Sequence, residues 1–111
     1  MKHGVLIAAV LMAGCATADG MRDSEPFFAG KTTHTQQDVA SCVALAWSKA
    51  GFNLRTEAAA DRSSIILAGS TPMGSDMVAD IYADGRVTMQ RRKAAWAGLD
   101  GRLRDQLAAC L

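Results

Sequence analysis

Met77-Val78-Ala79-Asp80-Ile81-Tyr82-Ala83-Asp84-Gly85-Arg86-Val87-Thr88-Met89-Gln90 is the stretch on which the fold turns. Asp84-Gly85 separates two runs whose apolar residues recur with period two, so a β-hairpin is predicted and its register can be tested. A two-residue loop would pair Tyr82 with Val87 and Asp80 with Met89, setting a carboxylate among apolar side chains. A three-residue loop, Ala83-Asp84-Gly85 with Gly85 in the left-handed conformation, pairs Ile81 with Val87 and Ala79 with Met89 instead. It leaves Asp80, Tyr82, Arg86 and Thr88 together on the other face. The three-residue loop is predicted, joining strands at about 77–82 and 86–92.

Working upstream, Ser64-Ile65-Ile66-Leu67-Ala68-Gly69 is short, β-branched and apolar on both faces, which predicts a central strand. Thr71-Pro72-Met73-Gly74-Ser75 then breaks the run. Phe52, Leu54 and Ala58 alternate with Asn53, Arg55 and Glu57, predicting a half-buried strand. Ahead of it, Val39, Cys42, Val43, Ala46, Trp47 and Ala50 line one face of a 3.6-residue period. That helix should begin near Gln36, capped by Thr33 with Gln36 or by Thr35 with Asp38, and stop at Gly51-Phe52. Downstream, Leu99, Leu103, Leu107, Cys110 and Leu111 recur at helical spacing behind Asp100 as a cap. The expected fold class is α+β: helix, four-stranded antiparallel meander, helix, with both helices on one face of the sheet.

The chain has 111 residues and a formal net charge of +1, enough for one small domain and without the basic excess that nucleic-acid binding requires. Its first residues have the layout of an address. Met1-Lys2-His3 is a short positive start, and residues 5–13 form an apolar run that ends at Gly14-Cys15. That run is too short for a bilayer span, which needs roughly 18 residues, and reads as a secretory signal. Met12-Ala13-Gly14-Cys15 resembles the lipobox of bacterial lipoproteins, departing from it at Met12, where Leu is usual. The resemblance covers residues 1–15 only and implies a processing class: Cys15 lipidated on its thiol and made the new N-terminus. Ala16 in place of Asp implies the outer membrane, with the domain in the periplasm. Cleavage within Ala16-Thr17-Ala18 would instead give a soluble secreted or periplasmic protein.

Processing at Cys15 removes Lys2 and His3, so acidic and basic residues become equal in number and His34 is left as the sole histidine. The division expected is a signal peptide at 1–14, a lipidated N-terminus and flexible tether at 15–34, and one α+β domain at 35–111. A tether of that length spans roughly 25 Å. Phe27-Phe28 interrupts its polar character, and the pair either docks back on the domain or bilayer or serves as a partner-binding motif. Cys42 and Cys110, one on each apolar helix face, are expected to form a disulfide, because export favours oxidation and a core this small is marginal without a staple.

Signals for chemistry are sparse. His34 with Asp38 makes an incomplete metal site, so neither metal nor cofactor is expected. No Gly-x-Ser-x-Gly elbow or histidine base accompanies the serines. Asp76, Asp80 and Asp84 occur at even spacing, which would align carboxylates on one strand face, either for acid-base work or as an ordinary solvated face. Arg91-Arg92-Lys93 with Trp96 is the densest cluster, either an interface or a strand end kept soluble by charge.

The helices should leave one sheet face uncovered, presenting Asp80, Tyr82, Arg86, Thr88 and Gln90 with Arg91, Arg92 and Lys93 at its rim. Ile65 or Ile66 would then also reach that face, either as the centre of an interface or as the contact of a homodimer formed sheet to sheet. The expectation is a small non-catalytic lipoprotein that binds an envelope protein or wall glycan. The alternative is an enzyme acting on envelope polymers through the Asp80 face.

Overall fold

The computed structural model describes residues 18–68, 75–91 and 99–111. Among them the chain runs through helix α1 (Ala18–Arg22), strand β1 (Phe28–Lys31), helix α2 (Gln36–Lys49), strands β2 (Leu54–Ala58), β3 (Arg62–Ala68), β4 (Ser75–Tyr82) and β5 (Arg86–Arg91), and helix α3 (Leu99–Ala109). The class is α+β. The sheet has five strands in the order β1-β5-β4-β3-β2, every neighbouring pair antiparallel.

The predicted hairpin is present in the predicted register, with Ile81 opposite Val87 and Ala79 opposite Met89. Gly85 has φ +91°, and a Cβ there would lie 2.6 Å from the backbone oxygen of Thr32, so the turn position admits glycine alone without rearrangement. Helix α2 starts at Thr35, whose hydroxyl accepts the backbone N–H of Asp38 at 3.1 Å. It ends where Gly51 turns left-handed at φ +95° and the Phe52 N–H returns to the carbonyl of Trp47. Phe52 therefore belongs to the helix stop, and β2 begins at Leu54.

Two expectations are corrected. Four strands become five, because Phe28–Lys31, assigned to the tether, pairs with β5 through Phe28 opposite Met89 and Lys31 opposite Arg86. The expected tether at 15–34 also contains α1, so the folded unit begins ahead of residue 35. The sequence around β1 hides this, because Phe-Ala-Gly-Lys is short and its glycine and small side chain leave little alternation to read.

The main core lies between the sheet and the paired helices α2 and α3. Val39, Val43 and Trp47 from α2 and Leu103 and Leu107 from α3 close over Ile65, Leu67, Met77, Ala79, Ile81, Val87 and Met89. The Trp47 indole N–H donates to the carbonyl of Leu103 at 3.3 Å, so the largest core side chain also ties one helix to the other. Phe27 and Phe28 pack against the same core, docking back on the domain. The disulfide joins Cys42 to Cys110 across a Cα separation of 5.8 Å. It sits at the flank of the helix pair, with Cys42 exposed and Cys110 half-buried just past the end of α3, so the bridge is a clamp beside the core.

Candidate functional site

The sheet face opposite α2 and α3 carries every second residue of the strands. Cross-strand registers arrange them in rows. One row reads Ala29, Thr88, Asp80, Ser64 and Glu57, and another is Lys31, Arg86, Tyr82 and Arg62. This is the face expected to lie open. It is half covered.

Helix α1 lies over its centre. Met21 seals Ile66, which is 1% exposed, and Val78 into a second small core. The exposed isoleucine predicted from the doubly apolar strand β3 is thus covered by the chain itself, since leaving Ile66 and Val78 in water would forfeit their burial. Next to Met21, Arg22 reaches Asp80 with two bonds, Nε to Oδ2 at 2.8 Å and Nη2 to Oδ1 at 3.0 Å. The Ser64 hydroxyl donates to Asp80 Oδ1 at 2.6 Å, and Arg22 also donates to that hydroxyl and to Asp19. The hydrogen bond to Asp80 raises the Arg22 guanidinium above its ordinary value, so the arginine keeps its charge in this setting.

Asp80 and Gln90 are therefore corrected as surface residues. Asp80 is 0% and Gln90 6% exposed, and the Gln90 amide donates to the carbonyls of Arg22 and Ser24 that end and follow α1. Asp80 is a structural anion holding α1 in place. Its oxygens are turned to Arg22 and Ser64, so no oxygen is offered to a substrate.

Tyr82, Arg86 and Thr88 remain accessible at the end of the face that α1 leaves clear. The Arg86 guanidinium lies 4.3 Å above the Tyr82 ring centroid and donates to Asp84 Oδ2 at 2.8 Å. The backbone N–H of Arg86 and then its guanidinium hold the Asp84 carboxyl below its ordinary value, which keeps this turn charged at neutral pH. Sequence reasoning missed two further members. Lys31 stands beside Arg86 because β1 joins the sheet, and Arg62 stands opposite Tyr82 at the start of β3. Alternation carried back from Ser64 could have found Arg62; Lys31 had no signal without β1. Ala29 and Gly30, being small, leave a shallow depression of about 440 Å³ beside Lys31, Arg86, Val87 and Thr88.

Arg91 falls elsewhere. It alternates with Gln90 onto the helix side, where its guanidinium lies 4.1 Å from the Phe27 ring centroid, and Arg104 of α3 approaches the same ring at 5.3 Å. Its expected place at the rim of the second face is thus corrected to a stack over Phe27. Arg92, Lys93, Trp96 and Cys15 lie outside the described residues, as does the Asp76 side chain. His34 is exposed at the start of α2, where its backbone N–H donates to Thr32 Oγ1.

Comparison with known proteins finds no match to this chain by family model, among curated proteins or among solved structures.

Proposed function

We propose that the protein is a non-catalytic, lipid-anchored binding module of the bacterial outer membrane, its domain in the periplasm, whose partner is an envelope protein or wall glycan. The observation that carries the binding reading is the accessible row of exposed Lys31 and Arg86 with half-buried Tyr82 and Arg62, set beside the depression over Ala29 and Gly30. Three cations flanking a phenol ring suit carboxylates presented next to a planar or sugar surface, because arginine and tyrosine combine charge, stacking and hydrogen bonding. The disulfide accords with an oxidising compartment, where such bonds persist. The alternative of an enzyme working through Asp80 loses support from the enclosure of that carboxylate by Arg22 and Ser64.

Anchoring at Cys15 would place the membrane attachment only three residues ahead of Ala18, where α1 begins. Fully extended, that link reaches about 10 Å, so the domain would sit against the headgroups instead of swinging on a long tether. Changing Cys15→Ser is expected to leave unprocessed or mislocalised precursor with the domain folded. Persistence of that variant in salt- and carbonate-washed outer membranes would refute the anchor.

The binding surface has its own test. Arg86→Glu is expected to abolish capture of the envelope partner, scored by pulldown from envelope extract and by sedimentation with purified peptidoglycan. The Arg86 side chain is 56% exposed, so the melting temperature should be almost unchanged. Unaltered capture in both assays, or collapse of the fold, would count against the surface.

A further inference from the structure

The two edges of the sheet differ. At β1, Thr32 N–H donates to the Gly85 carbonyl, and alternation of bonded pairs from there points only Ala29 and Lys31 outward. A lysine on so short an edge is an ordinary guard against strand addition. At β2, Ala59 N–H donates to the Arg62 carbonyl at 2.8 Å. Alternation then directs Glu57 and Arg55 to bond β3, and turns the amides and carbonyls of Leu54, Thr56 and Ala58 away from the sheet. Nothing among the described residues continues the sheet beyond β2. Thr56 and Ala58 are exposed, and a trough of about 510 Å³ runs beside them under the small side chains Ala40, Ser41 and Ala44 of α2.

We infer that β2 is the interface of a homodimer in which two copies pair antiparallel about Thr56, joining their sheets edge to edge. The charge pattern selects both the partner and the register. On the face away from α2, Arg55 and Glu57 flank Thr56, 61% and 53% exposed, and among the described residues each has the other as its ion-pair partner, at 3.1 Å. Every symmetric register centred on a strand residue lets outward backbone groups meet outward ones, and three of them pair more than one of Leu54, Thr56 and Ala58. Centring on Arg55 sets arginine against arginine, and centring on Glu57 sets glutamate against glutamate. Centring on Thr56 sets Arg55 against Glu57 of the second copy, twice over, at the closely spaced non-bonded positions where side chains interact most. It is also the register in which Leu54, Thr56 and Ala58 all find backbone partners, whereas the other two leave one of them unpaired. The two-fold axis passes through the seam, making the contact isologous and closed, so pairing stops at two copies. A ribbon this short buries less than the roughly 1,000 Å² of a permanent interface, so the dimer is a weak, exchanging one.

Covalent capture therefore reads it better than a sizing column. Thr56 and its copy form a bonded pair with Cα atoms about 5.5 Å apart, within disulfide range. In the purified full chain, concentrated and mildly oxidised, Thr56→Cys is expected to yield a covalent dimer of twice the chain mass, above the level of the parent chain treated alongside. Adding Arg55→Glu should reduce that yield about tenfold by turning both attractions into repulsions, and adding Glu57→Arg to it should restore the yield. No dimer above the parent level would overturn the inference. So would a dimer indifferent to Arg55→Glu, a failure of the swapped pair to restore it, or, in periplasmic extract, an adduct of Thr56→Cys with another protein in place of its own copy.

Discussion

Replacing Cys42 and Cys110 together with alanine is expected to remove about 4 kcal/mol of stability, close to the whole margin of a domain this small. The bridge spans 68 residues of sequence, and closing a loop of that length lowers the entropy of the unfolded chain by about that amount. Everything from the middle of α2 to the end of α3 lies inside the loop, including β2 through β5. Without it the helix pair would rely on the Trp47 to Leu103 hydrogen bond and the apolar contacts beneath it. Total stabilities of about 5–15 kcal/mol are usual for such domains, so the double variant should be partly unfolded at physiological temperature. Urea unfolding followed by tryptophan fluorescence measures the loss. A midpoint unchanged from the parent protein would show that the bridge constrains nothing the core does not already hold.

Arg22→Ala should cost about 3 kcal/mol, a large effect for a residue of a five-residue helix. The Asp80 carboxylate would stay beneath the sheet cover with the Ser64 hydroxyl alone, and an uncompensated buried charge is the expensive outcome of removing one partner. Asp80→Ala in the same chain should recover part of the loss, because it removes the stranded charge. The four stabilities form a double-mutant cycle, and the coupling expected is at least 1 kcal/mol. The single variants should also loosen α1, exposing Ile66 and Val78, so increased binding of an apolar dye by Arg22→Ala is a second readout. Strict additivity in the cycle, or an Arg22→Ala protein as stable as the parent, would mean that α1 is held by Met21 and the Gln90 amide without help from the ion pair.

These two clamps serve different sides of one sheet. The disulfide fastens the helical layer, and the Arg22 to Asp80 pair fastens the segment that follows Cys15. If Cys15 carries the anchor, any pull between membrane and domain passes through α1 first. The buried pair is then what keeps the accessible row of Lys31, Arg86, Tyr82 and Arg62 at a set distance from the bilayer.

The hairpin register, the stop at Gly51, the interior position of β3 and the pairing of Cys42 with Cys110 were legible in the sequence alone, while the cap was narrowed there to two candidates, of which the structure uses Thr35. Each rests on a strong signal within a few residues: a period, a cap, a turn glycine, or, for the cysteines, one thiol on the apolar face of each of two predicted helices. What only the tertiary structure decided is how the second face is closed. Arg22 and Asp80 are 58 residues apart, and nothing local to either marks the pair. Phe28–Lys31 becomes a strand only because Met89, Val87 and Arg86 are there to receive it, and a five-residue helix such as α1 persists only because Ile66 and Val78 need cover. Asp80 could be placed on its face by alternation, but its fate there, solvated or buried, depended on a long-range contact. Burial of a charge is decided by the group that comes to meet it, and period-two alternation carries no information about that group.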